Sequence, residues 1–523
     1  MELLSNKGEI IKVPIAKNNT ISKSPNEWEM AHTYFEKSIK SGNKVSFVEP
    51  NISSELYSSQ SLFLTKNNSN TGYLKNWPEP KDQPNKFVWH LNDEYSQLRE
   101  ASNRVLDKFP KSKIKIAIID TGFQPNHPVL PKNLLPGISF VKGEEGAKAI
   151  DIEKKGLFEQ QGHGTATAGF LAGGYLTKEQ TNGLFEGEFG GIPFAEVLPI
   201  RISDTVALIK ADTFVSAVKY AINQGCEVIS MSMAGVPSKS WAKIVNKAYE
   251  NGVVLVTAAG NSWNKGIKKV APKRLLYPAR WGRVIAATGV CADQLPYVFK
   301  ARVEIKSANG EHMQGNYGPA KVMGNALAAY TPNTSWATIN NDKNKTFFSL
   351  NGGGTSSATP QIAAAAALYI CYYRKEIEGI LAKDVKNKWK KVEIVKKALF
   401  DSAYAEDKEN MKYYGRGILK AFEALNVKPS ENNLILEPKA TLSWLGIKEL
   451  IGTLVLRKAN KKTKVIDEML ETEVLQAMHN NEALHDLLNY GNNDKWSKDD
   501  LKILKAQLEK QDISIQLRNR LNN

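Results

Sequence analysis

Four side chains in this 523-residue sequence are of the types that an acyl transfer requires: Asp120, His163, Asn261 and Ser356. Asp120 follows the apolar run Ile116-Ala117-Ile118-Ile119, and His163 lies in Gly162-His163-Gly164-Thr165. Asn261 follows Ala258-Ala259-Gly260, and Ser356 sits in Gly352-Gly353-Gly354-Thr355-Ser356-Ser357-Ala358-Thr359-Pro360. Taken singly, each has a structural explanation, because Asp, Asn and Ser are common turn and helix-cap residues. Taken together they supply one reaction. A serine hydroxyl becomes a useful nucleophile when a base takes its proton. An imidazole titrates near neutrality and can take that proton, then return it to a leaving amine. A carboxylate on the other ring nitrogen fixes the tautomer, and a side-chain amide with a backbone N–H can receive the developing oxyanion.

The elements needed to position these groups are legible around them. Apolar runs at 114–119, 197–202, 227–233, 253–259 and 284–290 suit strands buried on both faces. Helical patterns at 211–223 and 238–250 lie between them, and a helix is expected to begin near Asn92-Asp93 and end at Pro110. An alanine-rich helix is expected to start near Pro360, where the missing N–H costs little. Alternating β and α units imply a doubly wound α/β fold with a mostly parallel sheet. Such sheets bind ligands at the carboxyl ends of their strands, where Asp120 and Asn261 stand.

Composition sets the bounds. Lys+Arg 70 against Asp+Glu 54 gives a net charge of +16, but the basic residues are scattered, which argues against a nucleic-acid arm. Cys226, Cys291 and Cys371 are too few and too far apart for a disulfide framework or a metal knuckle. No secretory signal or membrane-length apolar run is read, so a cytoplasmic location is expected. Residues 1–87 form a polar N-terminal extension with short apolar pieces at 10–13 and 62–64, a candidate regulatory or pro-segment. Residues 88–428 form the α/β domain, and 429–523 a mainly helical extension that could receive a regulatory protein. In that extension Ser497 and Asp500 form a capping box, with Trp496 and Leu501 at staple positions.

The sequence around the four residues resembles the subtilisin-like serine peptidases. The resemblance runs from Ile116–Gly122 through Gly162–Thr165, Gly191–Arg201, Val228–Met233, Ala258–Asn261 and Tyr277–Ala279 to Gly354–Pro360. It implies a serine endopeptidase in which Asp120 orients His163, His163 is the general base and acid, and Ser356 is the nucleophile. Asn261 and the Ser356 N–H would form the oxyanion hole, and Ser232, Met233 and Ala234 would pair with an extended polypeptide. Several positions depart from the family pattern. Ser357 stands where Met is usual, which predicts resistance to peroxide, since a thioether there is an oxidation target. Ala234 replaces Gly, narrowing the wall beside the substrate. Val129 stands where an acidic residue often binds calcium, so no metal or other cofactor is expected to be required, although the resemblance leaves calcium open. The usual inhibitory prodomain is not recognisable in residues 1–100. The rival reading is a catalytically silent scaffold that binds extended peptide.

Overall fold

A computed structural model describes residues 2–5, 10–12, 26–42, 45–51, 74, 77–81, 86–151, 162–206, 210–264, 274–301, 312–338, 347–405, 407–452 and 461–522. Its centre is an eight-stranded sheet. Across the sheet the order is Ala326–Tyr330, Ile285–Val290, Val254–Ala258, Val228–Met231, Lys115–Asp120, Glu196–Arg201 and Asn133–Leu134, with Ile138–Ser139 also paired to Glu196–Arg201. Every pair in it is parallel. All five expected apolar runs are strands of this sheet. The Ala326–Tyr330 strand was not anticipated, because Ala-Leu-Ala-Ala-Tyr lacks the β-branched residues that mark a strand.

Helices cover both faces. One face packs on Leu98–Lys108, His163–Ala172, Thr355–Tyr372 and Trp389–Asp401 in a single apolar cluster. Thr355–Tyr372 is buried along its whole length, as a helix without a polar face is. The other face packs on Ala211–Asn223 and Lys239–Glu250, and the same cluster continues into Trp444, Leu470, Val474, Leu484, Leu504 and Leu517. The C-terminal helices thus share an apolar core with the sheet. The capping box at Ser497 and Asp500 is formed.

The helix expected from Asn92 begins later, at Leu98. Residues Lys86–Leu91 form a short 3-10 helix, and Asn92 closes a turn by accepting from the Tyr95 and Gln97 amides. Tyr95 is held outside the helix because its ring packs edge-on against Trp89 and Tyr330, 4.7 and 5.1 Å between centroids.

The N-terminal residues build a small α/β unit. Glu2–Ser5 pairs antiparallel with both Ile10–Lys12 and Val45–Glu49. The helix Glu27–Lys40 is capped by Asn26 and carries acids in its first turn and lysines in its last, matching its dipole. Trp28, Ala31, Phe35, Phe47 and Val48 pack on Val465 and Met469 of the C-terminal helix Lys461–Asn480. Polar contacts reinforce this seat. Trp28 donates to Gln476 Oε1 at 2.9 Å, Gln476 donates to the Pro237 carbonyl at 2.9 Å, and the Ile515 amide donates to Glu29 at 2.8 Å. The expected apolar piece at 62–64 lies outside the described residues.

Candidate active site

Asp120 is the last residue of the central strand, 1% exposed. Its Oδ1 accepts from His163 Nδ1 at 2.7 Å and from the Thr121 amide at 2.7 Å, and its Oδ2 accepts from Thr167 Oγ1 at 3.2 Å. Three donors offset the cost of burying a carboxylate. With Nδ1–H committed to Asp120, Nε2 of the neutral ring is the acceptor. His163 opens the helix His163–Ala172, whose cap Gly162 has φ of 84°. Gly164 is required here, because a Cβ would lie 2.0 Å from the Gly122 carbonyl oxygen where helix and strand end meet. The Trp336 ring lies 5.5 Å from the imidazole, centroid to centroid.

Ser356 lies in the first turn of Thr355–Tyr372, and its cap Gly354 has φ of 87°. The helix starts five residues earlier than expected, so Pro360 sits inside it. That position has a local consequence. Pro360 has no N–H to offer the carbonyl four residues back, so the Ser356 carbonyl is released and accepts from Ser232 Oγ at 2.9 Å. Ser356 Oγ in turn donates to the Ser232 carbonyl at 3.2 Å, and no hydrogen bond joins it to His163. Such contacts often tighten only when substrate arrives. Ser357 is fully buried, its hydroxyl donating to the Gly354 carbonyl at 3.0 Å.

Asn261 begins the short strand Asn261–Asn264, which pairs with His312–Gly315. Its Oδ1 accepts from the Thr355 amide at 2.9 Å and from Thr355 Oγ1 at 3.2 Å. The carbonyl end of the amide is thereby committed to the start of the serine helix, which leaves the Nδ2 donors for another acceptor. Ser232 and Met233 are buried and Ala234 is half-buried just beyond the Val228–Met231 strand.

The sequence reading missed three residues around this centre. Trp336 belongs to a strand pair, Thr334–Ala337 with Phe348–Gly352, whose partner runs directly into the glycine turn before Ser356. Asp151 accepts from the Gly162 amide at 2.8 Å, and burial pushes its carboxyl up to about 6. Arg201, fully buried, reaches Glu144 at 2.8 Å, Asp204 and Asp151. Arg201 stands in the sequence only as the last residue of the matching stretch Gly191–Arg201, within the apolar run 197–202, and no pattern in the sequence singles out Asp151.

Val129 is fully buried, and its methyls lie against Gly169, so its side chain brings no carboxylate to this loop. Among the described residues no group of three His, Cys, Asp or Glu side chains could hold a metal ion, and no helix is long and apolar enough to cross a membrane.

Comparison with known proteins shows the family. The pattern of the Subtilase family matches residues 111–417. Subtilisin DY of Bacillus licheniformis is 29% identical over 310 residues, covering 59% of this chain and 89% of that protein. Thermitase of Thermoactinomyces vulgaris is 31% identical over 258 residues, covering 49% and 75%. The major intracellular serine protease of Bacillus subtilis (strain 168) is 27% identical over 273 residues, covering 51% and 72%. The chain belongs to the subtilase family and is a serine-type endopeptidase.

Proposed function

We propose that this endopeptidase works through Asp120, His163 and Ser356, with Asn261 as the side-chain half of its oxyanion hole, and that its own terminal regions restrain it. The observation that carries the reading is the 2.7 Å Asp120–His163 bond at a strand end, with Ser356 in the first turn of a glycine-capped helix. In the reaction Ser356 Oγ turns from the Ser232 carbonyl to His163 Nε2, gives up its proton and attacks the scissile carbonyl. Asp120 stabilises the imidazolium that forms. The oxyanion is received by Asn261 Nδ2 and the Ser356 N–H, near the positive end of the helix. His163 then protonates the leaving amine, and water repeats the sequence to release the acyl group. An extended polypeptide would lie along Ser232, Met233 and Ala234.

Restraint is supported by where the N-terminal unit is seated. Glu49 accepts from Ser238 Oγ at 2.9 Å and from the Lys239 and Ser240 amides at 3.0 and 2.9 Å, while Asn51 accepts from the Asp212 amide at 3.3 Å. These are the first turns of the two helices on the sheet face opposite Thr355–Tyr372. The C-terminal helix Lys461–Asn480 packs against the same unit, which favours control from within the chain over a separate regulatory protein at 429–523. A cytoplasmic location is in keeping with the intracellular relative.

A fluorophosphonate probe tests the reading. Wild type should label and Ser356→Ala should not; absence of labelling in both would support the silent peptide-binding scaffold.

A further inference from the structure

Behind the imidazole and its carboxylate lies a buried polar network that the reaction itself does not use. Asp151 is 3% exposed, and its Oδ2 receives two donors, the Gly162 amide at 2.8 Å and Thr121 Oγ1 at 3.3 Å. Gly162 immediately precedes His163, and Thr121 immediately follows Asp120. Thr121 also donates its amide to Asp120 Oδ1 at 2.7 Å and accepts from the Gly164 amide at 3.2 Å. The carboxylate therefore ties the strand end that carries Asp120 to Gly162, and the Thr121 hydroxyl it holds ties the same strand end to Gly164. Its own backbone is fixed as well: the Asp151 amide donates to the Phe123 carbonyl at 2.9 Å, and the Asp151 carbonyl accepts from Gln124 Nε2 at 2.7 Å.

Arg201 stands beside this carboxylate, in register with Asp120 on the adjacent parallel strand. Its Nη1 donates to the Thr121 and Ser203 carbonyls and lies 3.5 Å from Asp151 Oδ1. Its Nε bonds Glu144 at 2.8 Å, and its Nη2 bonds Asp204. Glu144 and Asp204 already match the guanidinium charge, so neutralising Arg201 does not account for a third acid. The shorter contacts of Asp151 go to the two segments that meet at the imidazole.

We propose that Asp151 is a positioning residue, holding the Asp120 strand end and the His163 helix start at the separation the Asp120–His163 bond requires. This rests on the triad reading above. Misplacing reacting groups by about 1 Å costs on the order of 100-fold in rate. Asp151→Ala is therefore expected to lower kcat by roughly 10- to 100-fold per fluorophosphonate-titrated site, with KM nearly unchanged. Asp151→Asn, which keeps the shape but weakens the acceptor, should fall between wild type and Ala. A purely structural acid would lower the melting temperature and leave kcat per titrated site intact.

Two further measurements separate the alternatives. If Asp151 served only to neutralise Arg201, the double variant Asp151→Ala/Arg201→Met would recover wild-type kcat; positioning predicts that it stays low. Thr121→Val removes the hydroxyl's two links, to Asp151 and to the Gly164 amide, but keeps the Asp151–Gly162 bond, and should give a smaller loss in the same direction even if Asp151→Ala does not fold. The far-downfield proton resonance of His163 Nδ1–H reads the geometry without turnover, and should shift or broaden in Asp151→Asn. An unchanged resonance together with unchanged kcat per site overturns the proposal. A wild type that neither labels nor cleaves overturns the triad reading instead, and the resonance still decides the role of Asp151.

Discussion

Two pairs of helix starts in this molecule differ in what their first amides meet. Helices His163–Ala172 and Thr355–Tyr372 both begin after a glycine at positive φ, and neither has a side-chain cap from its own N-cap residue. Helices Ala211–Asn223 and Lys239–Glu250 begin where Asn51 and Glu49 of the N-terminal unit accept from their first amides. The chemistry of the two pairs is alike, since each start presents N–H groups and a positive dipole end. What differs is the acceptor. At one pair a permanent acceptor comes from a distant part of the same chain. At the other, the first-turn amides are partly tied, Gly164 to Thr121, Thr355 to Asn261 and Ser357 to Gly354, and Ser356 N–H has no partner among the described residues. Binding energy spent on a fixed acceptor gives stability. A donor kept for charge that appears only during reaction gives rate.

The comparison can be broken from either side. The largest effect is expected at the open start: Asn261→Ala should lower kcat by about 10²- to 10³-fold with little change in KM, measured on titrated sites; that range comes from a subtilisin amide of this kind. Next is a pH effect in the helix Lys461–Asn480. Burial raises the carboxyl of Glu471 to about 7, above its ordinary 4.5. A raised carboxyl contributes stability that is complete below its unfolded value and is lost as pH climbs through the folded one. Wild type should therefore lose stability relative to Glu471→Gln between about pH 4.5 and 7, on the order of 2 kcal/mol, read from denaturant midpoints at several pH values. A flat difference would show that Glu471 ionises without cost. The smallest effect is expected at the filled starts. Glu49→Ala should cost about 1–2 kcal/mol of stability and speed amide exchange at Lys239 and Ser240, while Ser356 labels no more slowly than in wild type. Slower labelling would mean that the two pairs of helix starts are coupled.

The sheet and the chemistry were legible for the same reason. Buried parallel strands are written as apolar runs, and a strand end followed by glycine announces a place where backbone must pass close. Asp120, His163, Asn261 and Ser356 each stood beside such a signal. What was not legible depends on contacts across the fold. Ala326–Tyr330 is a strand because neighbours on both faces bury it, and alanine does not declare that. Tyr95 fits the spacing of a helix, but Trp89 and Tyr330 hold it elsewhere. Asp151 stands twelve residues before His163, with no spacing that joins them, and only the fold brings its carboxylate under Gly162. The helix containing Ser356 starts earlier than the sequence suggests because a proline reads as a starting signal, whereas here it occupies the second turn.

That proline has a mechanical consequence. By withholding a donor it turns the Ser356 carbonyl outward to the Ser232 hydroxyl, and the reciprocal bond from Ser356 returns to Ser232. The residue that would cut and the edge that would hold the peptide are thus one latched joint rather than two parts aligned by chance. Alanine at 360 would give the helix back its missing bond and take away the tie, so a chain with a more regular helix would have a looser grip between its blade and its vice.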